Sequence, residues 1–365
     1  MGSSAEYSNT RRANFLALLR VVDIPLVALL ALAIYFATAY ELVDRMRLMP
    51  LAHGRLLNSK ELLLERAATT ERDVFVLGSS VVVDGVDCKV VNKQLEGLSP
   101  ATQSFNIAWA GSGPGRWPLI EPALAKAHPA AVVFEIDFPS ALTNAPMPRH
   151  MAAVAGWFNF VPADYRPTLE KLMDPENEVG PLFAPRLKQL LEFRVLPLVH
   201  LEVTLRETLR SDLRYDGYDK NFEAPWLRRT TVSPAAMARS IKQNVEQLKG
   251  ARVENFEQTA KLIKLMADKM HEAGAVVIFV LAPMNPEVLG QLPPDFVKTM
   301  SAPLEAAAKE SGSIFLDQSE MLPASGFSDH IHPIGEGRDQ WSAAIGQAVR
   351  AALQGDKQPH AVSDT

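Results

Sequence analysis

Two short segments near opposite ends of this chain carry the residue types that cooperate in nucleophilic catalysis. The segment DVFVLGSS is an apolar run that stops at a small-residue turn holding Ser79 and Ser80. The segment SDHIHP places Asp329 three residues before His332. A serine hydroxyl is a weak nucleophile until a base removes its proton, and a histidine serves as that base when a carboxylate holds its other ring nitrogen. The two segments together predict acyl transfer by Ser80, with His332 as base and Asp329 as the carboxylate that orients it.

Each segment also has a simpler interpretation. A Gly-Ser-Ser turn can merely join a strand to a helix, because small polar residues are frequent in turns. The second segment can be a surface loop, and His330 within it is a rival base, although the D-x-x-H spacing favours His332. The serine lacks a G-x-S-x-G elbow, which argues against the α/β-hydrolase family.

A third segment could stabilise the negative charge that develops on a carbonyl oxygen during acyl transfer. The glycine-rich stretch AGSGPG follows the apolar run SFNIAW. Such an oxyanion needs preorganised N–H donors, and a glycine lets the backbone approach a ligand closely. The N–H groups of Gly111 and Ser80 are therefore the predicted donors. The alternative is that this stretch is only a flexible connection.

The elements that must position these residues are short apolar strands alternating with helices. Strands are predicted at residues 74–77, 104–109, 131–136, 276–281 and 313–316, and helices at 119–126, 255–273, 294–311 and 341–353. This alternation predicts an α/β fold with a parallel sheet that helices flank on both faces. Ligands of such sheets bind at the carboxyl ends of the strands, and four residues would follow those ends: Ser80, Gly111, Asp137 and Pro283.

Two carboxylates near the third strand have less certain roles. Glu135 and Asp137 could form a pair, but we expect alternation along a strand to point them to opposite faces, which argues against a joint role. Asp137 alone, with Ser79 and Asn106, is a candidate for lining the site.

A run of apolar residues near the N-terminus predicts a membrane anchor. Residues 24–40 carry no charge, and Val21 and Val22 extend the run to about the 20 residues that span a bilayer. Basic residues before it favour a cytoplasmic N-terminus, so the rest of the chain would lie outside the cytoplasm. A cleaved signal is an alternative, since residues 37–39 resemble a signal-peptidase site, and a buried soluble helix is another.

These patterns predict the organisation of the whole chain. Its parts are a cytoplasmic N-terminus (1–20), a transmembrane anchor (21–40), a juxtamembrane helix (41–71), a catalytic domain (72–353) and a flexible tail (354–365). Residues 139–253 within the catalytic domain are predicted to form a helical insertion or lid, because they hold helical runs and many prolines between core elements.

The composition argues against other classes of function. A net charge of −5 gives no basic stripe of the kind that binds nucleic acid. The single cysteine, Cys88, excludes an intrachain disulfide, and no cysteine or histidine cluster has zinc-site spacing. We expect neither a metal nor an organic cofactor.

The segments described above resemble, in order and spacing, the sequence blocks of the SGNH (GDSL-like) hydrolase superfamily. This resemblance implies a flavodoxin-like parallel sheet. The first block of that superfamily is G-D-S with a nucleophilic serine, which implies Ser80 as nucleophile and places Ser79 at the usual aspartate. The second block carries an oxyanion glycine after an N-x-x-x-x-G pattern, which Asn106 and Gly111 match.

The remaining blocks match unequally. The last block is D-x-x-H, which Asp329 and His332 match. The third block, G-x-N-D, has no good match, because Asp137, Phe138 and Pro139 follow the predicted strand where an asparagine is expected. A third oxyanion donor is therefore not assigned.

The anchor, the GSS variant, the insertion and the late D-x-x-H resemble the DltD-type branch, which includes acyl-transfer proteins of exopolysaccharide systems. This implies a membrane-anchored serine acyltransferase or esterase that acts on acyl groups of a cell-envelope or secreted polysaccharide through an acyl-serine intermediate. The implied location is the bacterial inner (cytoplasmic) membrane, crossed once, with the catalytic domain in the periplasm. The implied partners are a membrane-bound O-acyltransferase or polysaccharide secretion components, and a carbohydrate polymer as acceptor.

Two other functions stay open on the sequence. One is a non-catalytic assembly or polymer-binding subunit of an O-acyltransferase or exopolysaccharide complex, favoured by the missing third block and by Ser79 in place of aspartate. The other is a lipid or thioester hydrolase with no acyltransferase partner.

Overall fold

The computed structural model describes residues 52–69, 71–141, 163–165, 168 and 230–355. Within these ranges the strands are β1 Val74–Leu77, β2 Ser104–Asn106, β3 Ala131–Ile136, β4 Val276–Leu281 and β5 Ile314–Asp317. The α-helices there are α1 Ala52–Ala67, α2 Ser80–Gly85, α3 Cys88–Leu95, α4 Glu121–Lys126, α5 Phe138–Ala141, α6 Pro234–Lys249, α7 Val253–Glu272, α8 Pro286–Leu289, α9 Phe296–Glu310 and α10 Gly335–Gln354. Short 3₁₀ turns lie at Trp117–Leu119, Ala163–Tyr165 and Ala324–Gly326.

The strands form a parallel five-stranded sheet in the order β2-β1-β3-β4-β5. This is the strand order of flavodoxin-like doubly wound sheets. The chain runs outward from β1 to β2 and then crosses to β3 on the other side of β1, so the winding direction reverses between β1 and β3. The crevice outside the carboxyl ends of these two strands is where ligands of such sheets bind.

Helices cover both faces of the sheet, which explains why its strands are continuous apolar runs rather than alternating ones. Every residue of β1 and β3 is buried. Phe75 and Leu77 enter one apolar cluster, shared with α1, α7 and α9. Val74 and Val76 enter a second cluster, shared with α2, α3 and α10. Successive side chains of a strand thus contribute to two separate cores.

The predicted α/β fold with a parallel sheet is confirmed, and β1, β3 and β4 have the predicted bounds. β2 ends at Asn106 rather than at residue 109, although the Ile107 N–H still donates to Val76 O at 2.9 Å. Helix α10 begins at Gly335, six residues before the predicted start, because a stretch with two glycines that looks like a turn is helical.

Helix α1 packs onto the sheet. Its Leu63 is fully buried in the first cluster, and Arg55 is 2% exposed. The sequence predicts this region as a juxtamembrane helix outside the catalytic domain, whereas the structure packs it against the domain's core.

Several predictions concern residues outside the described ranges. They are the N-terminal segment 1–20, the anchor 21–40, most of the insertion 139–253 and most of the tail 354–365. Helix α6 is the main described part of the insertion. Among the described residues, no helix combines the length and apolar character needed to cross a membrane.

Candidate active site

Ser80 lies at the carboxyl end of β1, beside the point where the sheet reverses its winding. Ser79 is the N-cap of α2, and its side-chain oxygen accepts a hydrogen bond from the Val81 N–H at 3.1 Å. This bond satisfies one of the donors that a helix N-terminus leaves open. Ser80 is therefore the first residue of a capped helix, and the cap fixes its position.

His332 is carried by a tight loop whose ends, Phe327 and Pro333, pair as an antiparallel bridge. Ser328 closes the loop, because its N–H and its hydroxyl both donate to the His332 carbonyl oxygen, at 2.9 and 3.2 Å. Asp329 Oδ1 accepts hydrogen bonds from two backbone N–H groups of the same loop, each at 3.0 Å. The D-x-x-H spacing thus allows the Asp329 carboxylate to bind the backbone N–H groups of its own loop.

The structure brings the side chains of Ser80, His332 and Asp329 together. Ser80 Oγ lies 2.9 Å from His332 Nε2. His332 Nδ1 lies 2.8 Å from Asp329 Oδ2 and 2.9 Å from Oδ1. A carboxylate can only accept, so Nδ1 carries the ring proton and Nε2 is left to accept from the serine hydroxyl.

Asp329 is held in its ionised form by its surroundings. Burial by itself raises the pKa of this carboxyl group, but the hydrogen bond and charge of His332 lower it, as do the backbone N–H groups of Ile331 and His332. The net result is a pKa of Asp329 well below its usual range. Asp329 is therefore a carboxylate at any pH near neutral and fixes the orientation of the histidine ring.

Glycines allow the two halves of the site to approach each other. A Cβ at Gly85, the last residue of α2, would lie 2.8 Å from the Trp341 ring and 3.0 Å from Pro333 Cδ. A Cβ at Gly337 would lie 2.7 Å from Gly326 O. The helix that carries Ser80 therefore packs directly against the histidine loop and α10.

A second carboxylate, Asp84, faces the same histidine. It is buried, and its Oδ2 lies 3.9 Å from His332 Nε2. Asp84 follows Ser80 by four residues on α2, so the two side chains share one side of the helix. An ionised Asp84 would favour the imidazolium that forms when His332 takes the serine proton. Asp84 was not predicted from the sequence, although its helical spacing from Ser80 could have indicated it.

The predicted oxyanion glycine lies in the turn after β2, the strand next to β1. Gly111 has a φ of +71°, a left-handed conformation that favours glycine. The Ser80 N–H, the other predicted donor, belongs to the first turn of α2, where N–H groups have no partner within the helix. The two groups thus follow adjacent strands, and their action on an oxyanion stays a prediction.

Asn106 and Ser79, predicted as candidate lining residues, serve the protein's own framework. Asn106 is 1% exposed, and its Nδ2 donates to Val82 O on α2 at 3.1 Å. Its Oδ1 accepts from the Ala108 N–H at 3.2 Å and from Arg55 Nη2 at 3.3 Å. Asn106 therefore ties β2 to the nucleophile helix, and the Ser79 side chain caps that helix.

Glu135 and Asp137 interact, so the expectation that they point to opposite faces is wrong. Alternation separates neighbouring residues of a strand, whereas residues two apart share a face. Glu135 is buried, and its Oε2 accepts a hydrogen bond from the Ser79 N–H at 2.8 Å. Burial, and next the charge of Asp137, raise the pKa of Glu135 well above its usual range.

A small pocket adjoins these groups at the carboxyl ends of β3 and β4. Most of its lining is apolar: Val81, Phe138, Pro139, Ala282, Pro283, Met284 and Ile331. The polar lining residues are Asp137, Asn244 and His330. Asn244, on α6, is 4% exposed, and its Oδ1 has no hydrogen-bond partner among the described residues. The rival base His330 thus lines this pocket, while His332 contacts Ser80.

Asn285 is a further supporting residue that the sequence did not reveal. Its Nδ2 donates to the Asp329 carbonyl oxygen at 3.2 Å, and its Oδ1 accepts from the Glu287 N–H at 2.9 Å. It thereby links the loop after β4 to the histidine loop. No local pattern marks this asparagine, because its partner lies 44 residues further along the chain.

Comparisons with known proteins assign no family to the chain. No family model and no curated protein matches its sequence. Among solved structures, the chain is similar to the crystal structure of LAE5, an alpha/beta hydrolase enzyme from the metagenome of Lake Arreo, Spain. The identity is 11%, the match covers 80% of this chain and 98% of that chain, and the TM-score is 0.35. A likeness of this degree does not identify a function.

Proposed function

We propose that this chain is a serine acyltransferase or esterase that works through an acyl-serine intermediate. The observation that carries the proposal is the 2.9 Å contact between Ser80 Oγ and His332 Nε2, with Nδ1 of the same ring held by Asp329 at 2.8 Å. Activation of a serine needs this chain of contacts. The contacts also lie at the edge of the sheet where doubly wound proteins bind ligands.

The first half of the reaction forms the acyl-serine. His332 Nε2 takes the proton of the Ser80 hydroxyl while Oγ forms a bond to the acyl carbonyl carbon. The carbonyl oxygen becomes an oxyanion, with the N–H groups of Ser80 and Gly111 as its proposed donors. The bond from carbon to the leaving oxygen then breaks, and His332 returns its proton to that oxygen.

The second half releases the acyl group. A hydroxyl of the acceptor, or water, gives its proton to His332 and forms a bond to the acyl carbon. The bond between that carbon and Ser80 Oγ then breaks, and the serine regains its proton from His332. A sugar hydroxyl as acceptor makes the enzyme a transferase, and water makes it an esterase.

We further propose that the chain belongs to the SGNH superfamily, in its DltD-type branch. The flavodoxin-like strand order agrees with the sheet expected from that resemblance. The proposed setting is the periplasmic side of the bacterial inner membrane, with a single N-terminal anchor. The proposed substrates are acyl groups and a cell-envelope or secreted polysaccharide, and the proposed partner is a membrane-bound O-acyltransferase or a secretion component.

The insertion is the candidate for choosing between acceptor and water. Asn244 lies on α6, within the predicted insertion 139–253, and it lines the pocket beside the nucleophile. Part of the insertion is therefore in a position to contact what enters the site, as a selective lid requires.

The test is hydrolysis of p-nitrophenyl acetate, together with labelling by a fluorophosphonate probe, using the full-length chain. Ser80→Ala should abolish labelling, and Ser80→Ala and His332→Ala should each lower kcat/KM by at least about 10³-fold. Ser79→Ala is the matched control, because it removes the neighbouring hydroxyl and costs about 1 kcal/mol of stability as a lost cap but should keep labelling.

The outcomes separate the proposed enzyme from the alternatives. Labelling that survives Ser80→Ala would contradict the assigned nucleophile. A folded wild-type chain that neither hydrolyses the ester nor takes the probe would favour a non-catalytic assembly or polymer-binding subunit.

A further inference from the structure

We infer that Glu135 is a positioning residue for Ser80. As a neutral carboxylic acid, it accepts a hydrogen bond from the Ser79 N–H, which holds the Ser79–Ser80 turn in place, and it donates a hydrogen bond to Asp137. This inference deepens the proposed function, because activity is one of its measurements. It assigns a role to a residue that lies outside the serine, histidine and aspartate contacts described above.

The geometry places Glu135 directly against the nucleophile turn. The Ser79 N–H donates to Glu135 Oε2 at 2.8 Å. A Cβ at Gly78 would lie 2.4 Å from the same oxygen and 2.8 Å from Glu135 Cβ. The turn between β1 and α2 therefore packs directly against the Glu135 side chain. Only a glycine at position 78 lets the backbone come this close to it.

The surroundings of Glu135 favour the protonated carboxyl. Glu135 is 1% exposed, and among the described residues its second oxygen, Oε1, has no hydrogen-bond donor. A buried carboxylate whose hydrogen-bond donors both come from Ser79, with no cation among its neighbours, still costs several kcal/mol. Burial, and next the charge of Asp137, raise the pKa of Glu135, and these causes outweigh the two hydrogen bonds with Ser79, which lower it. A proton on Glu135 relieves the burial cost and supplies a hydrogen bond to Asp137.

A neutral Glu135 also suits the chemistry proposed for Ser80. The oxyanion would form at the Ser80 N–H, one residue from the N–H that Glu135 accepts. A negative charge on the buried Glu135 would oppose that oxyanion. The protonated side chain accepts the Ser79 N–H without adding this charge, so it fixes the turn at no electrostatic cost.

The test compares Glu135→Gln with Glu135→Ala in the full-length chain. A glutamine keeps both interactions, because its amide oxygen accepts from the Ser79 N–H and its NH₂ group donates to Asp137. We expect Glu135→Gln to retain kcat for p-nitrophenyl acetate within a few-fold. Glu135→Ala should lower kcat by about 100-fold with little change in KM, because the turn shifts while the pocket walls remain.

Glu121→Gln is the matched control for losing a buried acid. Glu121 lies on α4, and burial also raises its pKa, but its charged neighbours are Lys269, Asp164 and Glu272 rather than the nucleophile turn. We expect this variant to have the kcat and KM of the wild type.

A second measurement does not depend on activity. Infrared difference spectra of the wild type and Glu135→Gln at neutral pH should contain the carbonyl band of one protonated carboxylic acid. Absence of this band, or a Glu135→Gln chain as inactive as Glu135→Ala, would overturn the inference. An inactive wild type that shows the band would instead refute the proposed enzyme activity and leave Glu135 protonated.

Discussion

At the scale of single residues, the sequence predicts the groups whose chemistry is narrowly restricted. Few residue types can serve as nucleophile, base and orienting carboxylate, so Ser80, His332 and Asp329 could be selected by type and spacing. Asn244 could not, because a lone polar residue in a helix forms no pattern with its sequence neighbours, and Glu135 was noticed beside Asp137 but was assigned no contact with the serine turn. Their partners are set by tertiary packing.

The depressed pKa of Asp329 predicts how the stability of the fold changes in acid. Its pKa is depressed in the folded chain, so it stabilises the fold fully above its unfolded pKa of about 3.9, and this contribution is lost as the pH falls through the lower folded value. The difference in unfolding free energy between the wild type and Asp329→Asn should shrink as the pH falls below about 4. Chemical denaturation across this range measures it.

Asp339→Asn is the control for this experiment. Asp339 has a side chain that is 57% exposed and lies 3.7 Å from Arg338 Nε. Exposed pairs of this kind contribute little to stability. The unfolding free energy of Asp339→Asn should therefore differ little from that of the wild type at every pH. A large difference for Asp329→Asn that persists unchanged to pH 3 would show that Asp329 has no depressed pKa.

At the scale of elements, the strands were easier to predict than the helix ends. Strands covered on both faces must be apolar throughout, and the runs at β3 and β4 therefore have sharp limits in the sequence. Helix α10 was predicted too short, because Gly337 resembles a turn residue. The structure requires glycine there for a different reason, since Gly337 packs against the backbone of Gly326.

The packing of α2 on α10 makes a prediction for Gly85. An alanine gains about 1 kcal/mol of helix propensity, but its methyl group would lie 2.8 Å from the fully buried Trp341 ring. Overpacking of this kind costs about 1–3 kcal/mol, so the steric term should prevail. Gly85→Ala should lower Tm and also lower kcat, because α2 carries Ser80 away from His332.

Gly250→Ala is the control for Gly85→Ala. A Cβ at Gly250 would lie 3.4 Å from Gln247 O, a tight contact that a small adjustment relieves, and the position ends α6 rather than α2. Its Tm and kcat should stay near those of the wild type. If Gly85→Ala has the Tm and kcat of the wild type, then the ring of Trp341 moves aside and the contact does not position α2.

At the scale of the whole molecule, the order of the strands could not be derived from periodicity. Apolar patterns tell which residues are buried, but they do not tell which strands are neighbours. The structure resolves this by placing β1 beside both β2 and β3, so that the segment after β1 stands at the reversal of the sheet. The sequence also did not predict that α1 would cover the end of the edge strand β2.

Helix α1 covers that edge by satisfying three consecutive carbonyl groups. Arg55 donates to Asn106 O at 2.9 Å and, through Nε, to Ala108 O, while Ser59 Oγ donates to Ile107 O at 3.4 Å. β2 is the edge strand, so these groups have no further strand to pair with. Residues 106–108 lead directly into the turn that holds Gly111. By binding their carbonyl groups, α1 helps to fix the position of the proposed oxyanion donor.

Arg55→Leu tests this long-range support. The substitution leaves buried carbonyl oxygens unpaired at about 1–3 kcal/mol each, which should lower Tm by about 2–4 °C per kcal/mol. The kcat for p-nitrophenyl acetate, measured well below the new Tm, should fall as well, because the chain between Asn106 and Gly111 loses its anchor. Arg239→Leu, at an exposed position on α6, controls for the loss of an arginine. A lower Tm with unchanged kcat would confine α1 to a stabilising role and separate it from the reaction.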